Sequence, residues 1–116
     1  MAPSCVAPIF PSDPLKLPNG EVLAESNAML WYLAEDTPLL PDTRLQRAQV
    51  LQWMFFEQYS HEPFIAVLRY WAHTRQLDAH AARLEEMRTR GHQALAVMEG
   101  HLSDHAFFVD ETYSIA

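Results

Sequence analysis

VLAESNAMLWYLAE, residues 22–35, sets the reading of the whole chain. The apolar pair Val22-Leu23 runs into Glu25-Ser26-Asn27, and a helix-like pattern begins at once. Ser26 has what a helix N-cap needs, a hydroxyl able to accept a backbone N–H. Ala28, Met29, Tyr32 and Leu33 form a one-sided apolar stripe behind it. The acid beside the hydroxyl admits a second reading, a corner that grips a small molecule bearing both charges.

Working upstream, PLKLPNGEVLAE reads as a hairpin. Leu15 and Leu17 alternate with Lys16, Asn19-Gly20 is a turn pair, and Val22-Leu23 brings the chain back. Two short strands do not stand alone in water, so other elements must cover them. Before the hairpin, Pro3, Pro8, Pro11 and Pro14 remove donors and block regular structure, which predicts an extended lead-in.

Working downstream, Pro38 is expected to stop the first helix, because the residue before a proline resists the helical region. PLLPD is a connector, and Asp42 or Thr43 can cap a second helix. Leu45, Ala48, Leu51, Gln52, Phe55, Tyr59 and Glu62 recur at three and four, and the pattern runs to about His73. Pro63 lies inside it. Ile65, Ala66, Leu68 and Arg69 keep the period beyond, so the proline predicts a kink and not an end. Asp78 can cap a third helix, with Leu84, Met87, Gly91, Leu95, Met98 and Leu102 on one stripe, ending near Asp104. Gly91 costs helix propensity, so a close approach by another helix is its expected reason. AFFVDETYSIA leaves that helix as a loop.

The totals bound the class. The chain has 116 residues, one small domain or a piece of a larger one, and 49% are hydrophobic, enough for a core. A net charge of −7 and a pI near 5.2 argue against a nucleic-acid surface. The single cysteine, Cys5, allows no internal disulfide and suits a reducing compartment. No apolar run is long enough to span a membrane, and the N-terminus lacks the basic start of a signal peptide. The expectation is a cytoplasmic, acidic protein with neither nucleic-acid nor membrane partners.

The order strand, turn, strand, AESNA, short helix, TPLLP, long kinked helix, long helix, FFVDETYSIA resembles the cytosolic glutathione S-transferase family, bacterial type, from about Leu15 to the C-terminus. ESNAMLWYLAE is similar to its glutathione-binding corner, QRAQVLQWMFFEQYSHEPFIAVLRYW to its kinked helix, and FFVDETYSIA to the approach to its central helix. The resemblance implies a mainly α fold. Two long helices, one kinked, form a partial helical C-terminal domain over residues 42–116. A hairpin and short helix over residues 1–37 are left from a thioredoxin-like domain. It implies glutathione as co-substrate, a small apolar electrophile as the other substrate, and a homodimer. In those terms Glu25 holds the glutathione ammonium by a charge-assisted hydrogen bond, and Ser26 offers its hydroxyl and backbone N–H to the carboxylate.

The pattern also breaks. The family's thiol-activating Ser, Tyr or Cys lies well before this corner, and the 24 residues preceding Glu25 cannot hold the intervening elements. Ser4 and Cys5 sit too close among prolines, so no catalytic residue is assigned. Pro14 follows Asp13 where the family has a Val-Pro pair, and its role is not carried over. TYSIA looks like the start of a capping box, and the family's central helix is absent, so uncovered apolar stripes are expected to drive association. The resemblance therefore implies weak or no turnover by this chain. The competing reading is a non-catalytic helical module that dimerises or docks on a partner.

Tyr59 and Arg69 lie near where the family builds its electrophile pocket, though packing for Tyr59 and capping or ion pairing for Arg69 is the favoured reading. The aromatic run from Trp53 to Trp71 reads as core and interface. His101 and His105 are four apart without supporting ligands, so no metal site is assigned.

Overall fold

The computed structural model describes residues 13–116. Pro3, Ser4, Cys5, Pro8 and Pro11 lie outside the described residues. Strands β1 (Leu15–Lys16) and β2 (Val22–Leu23) pair antiparallel, Leu15 opposite Leu23 and Lys16 opposite Val22. The turn is longer than a two-residue Asn-Gly loop. The Gly20 amide donates to the Leu17 carbonyl at 2.9 Å, and Gly20 sits at φ +88°. Pro18 and Asn19 are thus the central residues and Gly20 follows in the left-handed region, the three-residue hairpin with a glycine bulge. The Asn19 carboxamide oxygen accepts the Glu21 amide, which fixes the turn from its own side chain.

Helix α1 (Ser26–Ala34) ends before Pro38 can act. Thr37 ends it instead: its amide and its hydroxyl both donate to the Ala34 carbonyl, at 3.1 and 2.7 Å, while Asp36 turns to φ +59°. The expected inward stripe of Ala28, Met29, Tyr32 and Leu33 is corrected. Asn27, Trp31 and Ala34, again spaced four and three, face the protein, whereas Ala28, Tyr32 and Leu33 are exposed. The helix is apolar nearly all round, so period alone could not choose a face.

Thr43 caps α2 (Arg44–Phe56), its hydroxyl oxygen accepting the Gln46 amide at 3.3 Å. Here too the expected stripe lies outward. Leu45, Phe55 and Tyr59 are 68%, 61% and 78% exposed, while Val50 and Met54 carry the burial. Beyond Phe56 the ladder widens into a π-helical stretch, Glu57–Ala66, around Pro63, and continues as α3 (Val67–His73). The proline does not end the helix, as the sequence predicts; the ladder takes it up at π-helical spacing.

Asp78 is not the cap of a long α-helix. It opens a 3₁₀ stretch, Asp78–Arg83, with Leu77 in the cap position and no side-chain bond there, and His80 leaves helical angles at φ −116°. The α-helix proper, α4, runs Leu84–Leu102. Met87, Gly91 and Ala94 are its buried residues, so the later half turns Ala94 inward and leaves Leu95 exposed. A Cβ on Gly91 would stand 3.2 Å from Ile65 Cγ1, which places the close approach expected there against the π-helical stretch.

The segment after α4 is a loop that closes the core. Val109 is buried with Ala34, Leu40, Val50 and Met54, and Trp31, Trp53, Phe108 and Ile115 pack against that cluster. The Ile115 amide donates to the Leu39 carbonyl at 3.0 Å, pinning the segment to the α1–α2 connector. At its end the Ser114 hydroxyl accepts the Ala116 amide at 3.2 Å.

Candidate functional site

Between the end of β2, α1 and the outer side of α2 lies an open groove of about 1210 Å³. Leu23, Glu25, Ser26 and Asn27 form one wall, and Leu51, Met54, Phe55 and Tyr59 form the other. Leu51, Phe55 and Tyr59 of the exposed stripe are thus part of the groove's apolar wall. This explains why a helix with one packed face carries two apolar stripes.

Glu25, not Ser26, occupies the N-cap position of α1, which corrects the capping reading. The Glu25 carbonyl accepts the first helical bond from the Met29 amide at 3.0 Å, and no side chain caps the helix. Ser26 is the first helical residue, it is exposed and lines the groove, and among the described residues its hydroxyl has no hydrogen-bond partner. The amides of the first turn therefore face a site rich in donors and favourable to negative charge. Glu25 itself stands at φ +70°, ψ +120°. For a residue with a Cβ this costs about 1–3 kcal/mol, and such outliers gather at ligand sites. Among the described residues its carboxylate has no ion-pair partner, and no Lys or Arg lines the groove.

At the other end of α1, Arg47 of α2 makes a two-pronged ion pair with Glu35, at 2.8 and 3.0 Å, and lies 5.1 Å over the Trp31 ring. The Arg47 hydrogen bonds hold the Glu35 carboxyl below its usual range, although both groups are exposed. Arg47 is therefore occupied by Glu35 and is not among the groove's lining residues.

Of the residues singled out by sequence, the structure brings Glu25, Ser26 and Tyr59 to one groove. Arg69 is exposed on α3 and does not line it. His101 and His105 stack face to face at 4.4 Å, with their nitrogens turned to backbone carbonyls, and no group of three or more metal-ligating side chains occurs among the described residues. No peptide bond among the described residues is cis, Asp13–Pro14 included. Asn27 and Phe55 were missed as site residues. Phe55 was signalled by falling on a second apolar stripe, and Asn27 only by being the one polar residue on the inward face of α1.

No protein-family model matches the chain, and no curated protein sequence matches it. Solved structures do. A glutathione S-transferase from Xanthobacter autotrophicus is 50% identical with a TM-score of 0.83, the match covering 88% of this chain and 50% of that one. A glutathione S-transferase from Pseudomonas fluorescens is 45% identical, also at 0.83, over 88% of this chain and 51% of that one. A maleylpyruvate isomerase from Pseudomonas aeruginosa is 26% identical at a TM-score of 0.55, over 88% of this chain and 57% of that one. The chain spans about half the length of these proteins. Over the part that it shares, it is similar in sequence and in fold to these glutathione S-transferases. Among the described residues no helix is long and apolar enough to cross a membrane.

Proposed function

We propose that the chain carries the γ-glutamyl-binding corner and one electrophile wall of a glutathione transferase. The observation that carries this reading is Glu25, strained and, among the described residues, without an ion-pair partner or a side-chain cap bond, at the N-terminus of α1 beside an apolar groove. The Glu25 carboxylate accepts hydrogen bonds from the glutathione ammonium. The Ser26 hydroxyl and amide donate to the adjoining carboxylate, and the helix end favours that charge. Phe55 and Tyr59 offer an apolar face to the electrophile. In the whole reaction the thiolate sulfur attacks an electrophilic carbon, a C–S bond forms, and the leaving group departs with its electron pair. The chain's part is to hold and orient. A thiol-activating group is not among the residues that the resemblance matches, so turnover by this chain alone is weak or absent. Residues up to about 37 serve as the remnant of a thioredoxin-like domain, those from 42 as part of the helical domain, and the protein works as a homodimer in the cytoplasm.

An amide-resolved NMR titration tests this. Glutathione should move signals from Leu23 to Tyr32 and at Phe55, and Glu25→Gln should weaken binding by ~10-fold, the scale of one charge-assisted bond. Shifts scattered over the surface, or none, would remove the site.

A second reading has its own support. Leu45 and Phe55 on α2, and Tyr59 in the π-helical stretch that follows it, remain largely exposed, a surface that suits a non-catalytic docking or dimerisation module. Association that persists while glutathione fails to bind would favour it.

A further inference from the structure

We infer that Asn27 is the positioning residue of the Glu25–Ser26 corner, acting through the Met54 carbonyl of α2. What the corner holds rests on the reading above; that Asn27 fixes it does not.

Residues 25, 26 and 28 are exposed, and Asn27 between them is half-buried. Its side-chain Nδ2 donates to the Met54 carbonyl at 3.4 Å. Met54 is buried, in the last turn of α2, where the Glu57 amide also donates to the Trp53 and Met54 carbonyls. A carbonyl oxygen has two lone pairs and can take both donors. Glu35–Arg47 ties the far end of α1 to α2, and Asn27–Met54 ties the near end. The near tie sits two residues from a backbone in an unfavourable conformation, which persists only when its surroundings over-determine it. On the strand side β2 holds Leu23 opposite Leu15; on the helix side the directional hold is Asn27. Apolar contacts allow sliding, whereas an amide–carbonyl bond fixes distance and angle. Met54 adjoins Phe55, so the same bond sets the spacing between the polar corner and the apolar wall.

The test uses the full chain with Asn27→Ala and Asn27→Asp, the second matching Asn in size but lacking the N–H donor at neutral pH. The Met29 amide, which donates to Glu25, reports whether the corner is held. Its hydrogen-exchange protection should fall ~10-fold in both variants, while protection at Val50 and its response to Arg47→Ala stay near wild type. Glutathione affinity, read in parallel, should fall by a similar ~10-fold factor. Unchanged Met29 protection overturns the inference. So does equal loss at Val50, which would make Asn27 a general packing residue, or undiminished glutathione binding with a loosened Met29. If wild type does not bind glutathione, the binding reading fails alone, and Met29 against Val50 still decides the role of Asn27.

Discussion

Glu25 adopts a backbone conformation that glycine takes freely and other residues do not, at φ +70°. The strain is local, so it can be removed locally. Glu25→Gly is expected to leave the fold intact and to offset the strain, raising stability by ~1 kcal/mol in denaturant unfolding while abolishing the ammonium contact. Loss of stability instead would mean that the side chain, not the backbone, anchors the corner. The ion pair of Glu35 with Arg47 predicts a pH effect. The Glu35 carboxyl is held below its ordinary value by the Arg47 hydrogen bonds. A lowered carboxylate pKa contributes stability that is present above the ordinary value and lost as pH falls through the folded one. Arg47→Ala should therefore lower Tm at pH 7 and have less effect near pH 3; both groups are exposed, so the difference is small. The residue types at this corner were legible in the sequence. The strain was not, since no local signal distinguishes a Glu in a left-handed conformation from one that begins a helix.

Among the elements, the hairpin, the cap at Thr43, the passage of the helix through Pro63 and the close approach at Gly91 were all readable, because each rests on local backbone chemistry. The inward faces of α1 and α2 were not. Both helices carry apolar residues on more than one side, and hydrophobic spacing reports apolar faces without saying which meets the core and which lines a groove. The boundary at Asp78 was missed for a related reason: a 3₁₀ turn offers the same residue types as an α-helix start. Two substitutions test the elements. Thr43→Ala should cost ~1 kcal/mol by removing the cap of α2, measured by chemical unfolding. Gly91→Leu should cost ~1–3 kcal/mol, because a side chain there runs into Ile65, whereas Gly91→Ala needs the Ile65 side chain to give only a few tenths of an ångström. Equal tolerance of Ala and Leu would mean that the α4 contact opens readily.

On the scale of the whole molecule, the described chain is a slab of 48 × 42 × 18 Å. Its radius of gyration is 17.4 Å, against ~13 Å for a compact domain of about 100 residues. A slab this thin gives each helix one packed side and one open side, which is why so much of α2 is uncovered. Light scattering should accordingly give a mass above the monomer, and Leu45→Glu, on α2 outside the groove, should shift it downward. A monomer at every concentration would argue against the homodimer. The most direct measurement on the central claim is a calorimetric titration of the chain with glutathione and with cysteinylglycine, which lacks the γ-glutamyl end, repeated on Ser26→Ala. The account predicts saturable binding of glutathione, none of cysteinylglycine, and an affinity lowered by ~10-fold in the variant with the helices unchanged by circular dichroism. Equal binding of the two peptides, or glutathione binding untouched by Ser26→Ala, would contradict it.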